Sequence, residues 1–201
     1  MPDRHTTPEP VPLAPEIRLH TATDITALWE TTGSPEPPFW AFPWAGGQAL
    51  ARHLLDHPHL TAGRTVLDLA TGSGLVAIAA ARTGARTVTA NDIDPHATTA
   101  AARNAETNHV TVHTHLGDLL DTTPDTDVVL AGDVFYDRDM AARVLPFLRR
   151  AHDRGALVLV GDPQRAHRPR TGLTRIATYQ VPVPHHLEGT DLRTTHIWRP
   201  A

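Results

Sequence analysis

The chain has 201 residues, of which 40% are hydrophobic and 20% are charged, a length and composition that suit one folded α/β domain and exclude disorder throughout. Its formal net charge of −4 provides no basic field for a nucleic-acid backbone. The absence of cysteine excludes disulfides, thiolate metal sites and thiol nucleophiles.

The first segment, residues 1–16, is rich in proline and poor in apolar side chains. Because it offers few backbone donors and little apolar area, we predict a disordered tail. The segment lacks the apolar core of an export signal, and no run of about 18 apolar residues occurs in the chain. We therefore expect neither export nor a membrane span. We also predict that the protein is cytoplasmic and monomeric.

Residues 17–60 predict short helices, which we interpret as an N-terminal helical cap on a core formed by residues 61–201. Thr23 can cap the first helix, and the proline-rich run at 34–38 ends it. The second helix is expected over 46–56, because its leucines share one face.

From residue 64 onward, short apolar runs alternate with helical patterns. TVLDLA at 65–70, a helix over 75–82 and RTVTAND at 86–92 form a βαβ unit. The alternation continues with a helix at 95–104, strands at 110–115 and 127–131, a helix at 138–150 and a strand at 156–160. Repeated βα units predict an α/β fold, in which helices cover both faces of a parallel sheet. The last strands, at 178–183 and 194–198, should pair as an antiparallel hairpin.

A glycine loop follows the first strand of this unit and opens the next helix. Gly72 and Gly74 stand in GSGLVA, and Asp92 ends the second strand, twenty residues after Gly72. Glycines allow close approach of a ligand to the backbone, the helix N-terminus offers free N–H groups, and the acid can accept from ribose hydroxyls. The pattern is typical of an adenosine-ligand site.

Asp68 distinguishes between two cofactors that would satisfy this pattern. It lies four residues before Gly72, at the end of the first strand. A carboxylate there would repel a pyrophosphate but would favour the ammonium and sulfonium of S-adenosylmethionine. The acid therefore argues against a nicotinamide dehydrogenase.

Several longer motifs resemble one family of seven-stranded methyltransferases. The matching stretches are PFWAFPWAGGQALARHLLD at 38–56, VLDLATGSG at 66–74, ANDIDP at 90–95, GDVFYD at 132–137, GDP at 161–163 and THIW at 195–198. With them the chain resembles the lysine methyltransferases related to nicotinamide N-methyltransferase-like proteins. The resemblance implies a Rossmann-like three-layer sandwich with a seven-stranded, mostly parallel sheet. One departure is Ala70, where the family loop usually begins with glycine, so cofactor affinity could be weaker.

The resemblance also implies a cofactor site for S-adenosylmethionine, whose product is S-adenosylhomocysteine. The expected residues are Trp44, Asp68, Ala70, Thr71, Gly72, Gly74, Asp92, Asp118 and Gly132. Asp68 should support the methionine end and Asp92 the ribose. Asp118 has two interpretations, as a hydrogen-bond partner of the adenine amino group or as a loop cap. Trp44 could contact the cofactor or belong to the core.

For the acceptor side, Asp133 and Tyr136 match a D-x-x-Y signature of the family. Asp133 would orient the lysine ammonium and Tyr136 would hydrogen-bond the amine, because methyl transfer chiefly requires alignment and exclusion of water. Alternatively, Asp133 caps a strand end and Tyr136 is a core residue. Trp40 and Asp162 are further substrate-site candidates. The scattered histidines have no acid at metal-ligand spacing, so no metal is expected.

The function expected from the sequence is S-adenosylmethionine-dependent N-methylation, with a protein lysine as acceptor. Two alternatives remain: a small-molecule N-methyltransferase that accepts a nicotinamide-like amine, and an adenosine-cofactor-binding protein without catalysis. Neither nucleic acid nor a membrane is expected as a partner.

Overall fold

A computed structural model describes residues 5–201, which form nine strands and six α-helices. The strands are β1 Thr6–Val11, β2 Ala14–Ala22, β3 Thr65–Leu69, β4 Thr87–Asp92, β5 His113–Leu116, β6 Val128–Gly132, β7 Leu157–Asp162, β8 Leu173–Pro182 and β9 Leu192–Pro200. The helices are α1 Ile25–Thr32, α2 Ala45–Asp56, α3 Leu75–Arg82, α4 Pro95–Thr107, α5 Arg138–Asp153 and α6 His185–Glu188.

Within this part of the chain, seven strands form one mixed sheet in the order β5-β4-β3-β6-β7-β9-β8. The strands from β3 to β7 pair in parallel, whereas β9 is antiparallel to both β7 and β8. The predicted sheet and its C-terminal hairpin are confirmed. The hairpin strands are longer than expected, and the connection between them contains the short helix α6.

Alternate residues of the central strands enter two hydrophobic clusters. Val128 and Leu130 belong to the cluster that contains α2 and α3, whereas Val129 and Ala131 belong to the cluster that contains α5. Successive side chains of a strand point to opposite faces of a sheet, so these clusters lie on its two faces. Helices thus cover both faces, as the apolar strands predicted.

Helix α2, which the sequence placed in an N-terminal cap, packs against β6, β7 and β9 and shares the first of these clusters. Helix α1 is capped by Asp24, whose carboxylate accepts the N–H of Ala27 at 3.0 Å, and not by Thr23 as predicted. No helix in residues 5–201 is long and apolar enough to cross a membrane.

The prediction of a disordered tail over residues 1–16 was wrong for its described part, while residues 1–4 lie outside the described residues. Strands β1 and β2 form an antiparallel hairpin. Its side chains Val11, Ala14, Ile17 and Leu19 are buried in the first cluster. The prolines of β1 suggested disorder, yet a strand with only one partner tolerates them.

Two asparagines, Asn104 in α4 and Asn108 directly after it, bind the hairpin. Asn108 accepts the N–H of Arg18 at 2.9 Å and donates to its carbonyl at 2.6 Å. Asn104 accepts the N–H of His20 at 2.8 Å and donates at the same distance to the carbonyl of Ser73, within the glycine loop. The side chain of Asn104 therefore links the β1–β2 hairpin to the glycine loop.

The hairpin should contribute to global stability. Leu19→Ala is expected to lower the free energy of unfolding by about 2–5 kcal/mol, because it leaves a cavity in the core. Thr7→Ala, on the exposed side of β1, should change it by no more than about 0.5 kcal/mol. Urea unfolding of both variants checks this. Equal midpoints for Leu19→Ala and the unaltered protein would exclude the hairpin from the core.

Candidate functional site

The predicted site residues gather where the parallel strands end. Asp68, Asp92, Gly132 and Asp162 stand at or near the carboxyl ends of β3, β4, β6 and β7. The strand order changes direction between β3 and β6. Open α/β sheets bind ligands at such switch points, because loops on either side diverge and leave a crevice.

A crevice is present there and encloses a cavity of about 50 Å³. Its walls come from the segment before α2, the glycine loop and the end of β6: Phe42, Trp44, Gly47, Asp68, Ala70, Thr71, Gly72, Ser73, Leu75, Val76 and Gly132. Pockets for whole small-molecule ligands usually measure about 300–1,000 Å³. The enclosed part can therefore hold only one end of a cofactor, and the remainder would lie along the open sheet edge.

Asp68 is the buried acid of this cavity. It accepts hydrogen bonds from the Thr71 hydroxyl at 2.5 Å and from the Ala77 N–H at 3.0 Å. Burial raises the pKa of Asp68 to about 7, although these hydrogen bonds oppose the shift. Among residues 5–201 no cation forms an ion pair with it. A cationic ligand in the cavity would supply the missing charge.

Asp92 lies beside the glycine loop rather than in the cavity wall. One of its oxygens accepts the Gly72 N–H at 2.9 Å and the other accepts the Asp94 N–H at 3.1 Å. Burial raises the pKa of Asp92. The predicted spacing of twenty residues thus places its carboxylate against the first glycine of the loop, and a contact with ribose hydroxyls stays a prediction.

The glycine loop has a left-handed backbone at several positions. Ala70 and Gly72 have φ of 53° and 52°, and Gly74 has φ of 81°. A Cβ at Gly74 would lie 2.8 Å from the Cα of Ala101 on α4, so only glycine fits there. Gly74 therefore serves packing and does not line the cavity. Ala70 adopts a left-handed conformation that glycine adopts without strain and that is unfavourable for alanine.

Aromatic side chains form one side of the crevice mouth. Trp44 lines the cavity, and its indole donates to the Phe39 carbonyl at 2.7 Å. The rings of Phe39 and Tyr136 have centroids 6.2 Å apart, and both side chains are about half exposed. Tyr136 is therefore not a core residue. Trp40, a predicted substrate residue, is instead buried between α1 and α4, where it stacks on His96.

Asp133 reaches this edge with a left-handed backbone, at φ of 63°. One carboxylate oxygen accepts the Gly46 N–H at 3.0 Å, and the other accepts from Nε of Arg165 at 2.6 Å. Trp44, the N-cap residue of α2, provides no side-chain cap. Asp133, which is remote in sequence, instead accepts a free N–H of that helix. The carboxylate predicted to hold an acceptor amine thus has two partners within the protein.

Asp162 is also bound by the protein and is fully buried. It accepts the N–H groups of Gln164 at 2.8 Å and Arg165 at 3.4 Å, and it forms an ion pair with Arg168 at 3.4 Å. Burial and the nearby charge of Asp133 raise its pKa to about 6. Direct contact with a substrate, as predicted for this residue, would require the loop after β7 to move.

Asp118 follows β5 and adopts the cap-like role that the sequence left as an alternative. Its oxygens accept the Leu120 N–H at 2.9 Å and the Arg143 guanidinium at 2.7 Å. The hydrogen bond to Arg143 holds the pKa of Asp118 below its usual range. A contact with adenine stays a prediction.

Several residues of this edge were not identified from the sequence. Arg165, in the loop after β7, forms ion pairs with Asp133 and with Glu188 at the end of α6. Ile93 and Leu116 are exposed apolar residues beside Asp92. The position of Ile93 directly after Asp92 could have identified it from the sequence as part of this edge. The pairing of Arg165 depends on tertiary contacts alone.

A larger depression, of about 890 Å³, lies at the opposite edge of the sheet. Arg64, Asp127, His152 and Arg199 are among its lining residues. No predicted site residue borders it, and it faces the amino ends of β3 and β7. Within residues 5–201, no group of three or more histidine, aspartate or glutamate side chains could hold a metal ion.

Comparisons with known proteins agree with this geometry. The family model of the ribosomal protein L11 methyltransferases matches residues 49–134. The electron transfer flavoprotein beta subunit lysine methyltransferase of Danio rerio is 41% identical over 199 residues, which cover 93% of this chain and 76% of the relative. The Homo sapiens protein of the same name is 37% identical over 196 residues, covering 92% of this chain and 75% of the relative.

Solved structures confirm the Rossmann-like three-layer fold. The ribosomal protein L11 methylase from Lactobacillus delbrueckii subsp. bulgaricus aligns over 80% of this chain and 81% of its own, with a TM-score of 0.54 and 20% identity. Magnesium protoporphyrin IX methyltransferase from Synechocystis PCC 6803, solved with bound S-adenosylmethionine, covers 76% of this chain and 77% of its own, with a TM-score of 0.55 and 18% identity.

Asp68 should make cofactor affinity depend on pH. Because its pKa is about 7, the affinity for S-adenosylmethionine is expected to rise about tenfold between pH 6 and pH 8 as the carboxyl ionises. Asp68→Asn should bind more weakly and lose this part of the dependence, whereas Asp125→Asn, an exposed control, should keep it. Titration calorimetry at several pH values measures both. The same slope in Asp68→Asn would assign the dependence to another group.

Proposed function

The chain belongs to the family of the electron transfer flavoprotein beta subunit lysine methyltransferases, and we propose that it methylates lysine side chains of that β subunit. It is an S-adenosylmethionine-dependent methyltransferase. A lysine acceptor also agrees with the resemblance of the sequence motifs to lysine methyltransferases. The observation that carries the proposal is the identity of 41% over 93% of the chain, which includes both the cofactor loop and the D-x-x-Y segment.

The site geometry supports this assignment from the cofactor side. S-adenosylmethionine supplies an electrophilic methyl group on a sulfonium centre. Asp68, a buried carboxylate without a cation, would favour the positive methionine end of the ligand. Asp92 would accept from the ribose hydroxyls, and Ile93 and Leu116 offer apolar surface for the adenine ring.

On the acceptor side, Tyr136 and Phe39 would receive the lysine side chain. Burial raises the pKa of Tyr136, and the carboxylates of Asp92 and Asp137 raise it further, so the phenol stays protonated at neutral pH. Its oxygen can accept a hydrogen bond from the amine and fix its direction toward the methyl group. The proton of the lysine ammonium would leave to water through the open mouth.

The exposure of this mouth favours a protein acceptor over a small molecule. Phe39 is 45% exposed and Tyr136 is 54% exposed. A methyltransferase for a small amine would have to enclose the whole acceptor to exclude water. A half-exposed aromatic rim instead suits a side chain that enters from a larger surface. The monomeric state and cytoplasmic location stay predictions.

Methylation of the purified β subunit with labelled S-adenosylmethionine tests the proposal. The chain contains no lysine, so every methylated lysine in the mixture belongs to the added protein. Peptide mass spectrometry identifies the modified residues, and nicotinamide serves as the competing small acceptor. Label on lysine residues of the β subunit supports the proposal. Label on nicotinamide alone, or on neither acceptor, would contradict it.

The role of Tyr136 can be tested separately. Tyr136→Phe is expected to lower kcat about tenfold or more, because the amine loses its orienting contact. The affinity for S-adenosylhomocysteine should remain within about twofold. Tyr179→Phe is the matched control, since Tyr179, the second of the two tyrosines, lies on β8 and its hydroxyl hydrogen-bonds His53 of α2, away from the site. An unchanged kcat in Tyr136→Phe would remove the phenol from the mechanism.

A further inference from the structure

One guanidinium joins two buried carboxylates behind the acceptor side of the site. Nε of Arg165 donates to Asp133 at 2.6 Å, and its two terminal nitrogens contact Glu188 at 3.0 and 3.4 Å. The side chains of Asp133 and Glu188 are 7% and 3% exposed. All three guanidinium nitrogens are therefore engaged, in the planar fork that only arginine provides.

Asp133 connects the two walls of the crevice. Its carboxylate accepts the N–H of Gly46, which lies in the first turn of α2, two residues after Trp44. Its own N–H donates to the carbonyl of Gly161 at 2.8 Å. Its left-handed backbone begins the turn that leads to Tyr136. A small displacement of Asp133 would therefore shift Trp44 on one side and Tyr136 on the other.

The charge of Asp133 needs compensation from the protein. Asp162 is a second buried carboxylate close enough to interact with it. Without a cation beside them, these like charges would repel each other strongly, because both are buried away from water. Arg165 stands against Asp133, while Arg168 pairs with Asp162.

We propose that Arg165 is a positioning residue for methyl transfer, which fixes Asp133 and through it Trp44 and Tyr136, so that Asp133 acts within the protein and does not bind the acceptor ammonium. This inference rests on the proposed function for its acceptor. It predicts that the loop after β7 affects turnover without touching either substrate.

The test compares Arg165→Gln with Arg52→Gln. Arg52 is a matched control, because it is also about one-fifth exposed and also pairs with two carboxylates, Glu16 and Asp56, near the far end of α2. Arg165→Gln should lower the melting temperature more than Arg52→Gln, because Asp133 and Glu188 are buried whereas Glu16 and Asp56 are exposed, so kcat is compared well below both unfolding transitions. Only Arg165→Gln should lower kcat, by about 10- to 100-fold at saturating β subunit, with S-adenosylhomocysteine affinity within about twofold. Arg165→Lys, which keeps the charge but not the fork, should be intermediate.

A measurement without acceptor separates this inference from the proposed function. Hydrogen–deuterium exchange should become faster in the first turn of α2 and in the segment 132–136 of Arg165→Gln, but not of Arg52→Gln. If the unaltered protein fails to methylate the β subunit, the proposed acceptor is wrong, and the exchange comparison still decides the role of Arg165. Unchanged exchange in both segments, or a kcat equal to that of Arg52→Gln, would overturn the inference.

Discussion

The site depends on a direct backbone contact between helix α2 and the carboxyl edge of the sheet. A Cβ at Gly46 would lie 2.6 Å from the N of Asp133 and even closer to the carbonyl oxygen of Gly161. A Cβ at Gly132 would lie 2.9 Å from the Cα of Gly47. No other residue type fits these positions without movement of the backbone. The glycines thus let the helix start where β6 and β7 end, and this start places Trp44 in the cavity wall.

Three buried carboxylates lie near this contact, and they differ in whether an arginine of the protein pairs with them. Asp133 has Arg165 and the first turn of α2, and Asp162 has Arg168 and two backbone N–H groups. Asp68 has only neutral donors, and it is the one of the three that lines the cavity. A buried charge without a counter-ion is costly, so this position favours a cationic ligand. Charge compensation by the protein at two sites thus leaves Asp68 as the carboxylate where we propose that the positive end of the cofactor binds.

Much of this arrangement follows from local sequence patterns. Strand and helix periods predicted the succession of elements from β3 to β9 along the chain, and the glycine loop with Asp68 and Asp92 predicted the cofactor side, because these signals lie within one βαβ unit. The hairpin was missed because Pro8 and Pro10 outweighed the alternation of Ile17 and Leu19 in β2. The sequence could not show that Phe39 is exposed and Trp40 is buried, since both are aromatic residues in one short turn. The partner of Asp133 was missed because Arg165 reaches it only after β6, β7 and α6 have assembled.

The close contact of α2 with the sheet is tested most directly by adding one methyl group at each of two adjacent glycines. At Gly47 a Cβ would meet its nearest neighbours at 3.8 Å, an ordinary contact, whereas at Gly46 it would overlap the backbone. Because Gly47 also lines the cavity, the readout is the free energy of unfolding rather than cofactor affinity. Gly47→Ala should change it by no more than about 1 kcal/mol, whereas Gly46→Ala should lower it by about 1–3 kcal/mol or more, because the backbone must move. Equal free energies of unfolding in the two variants would contradict the account.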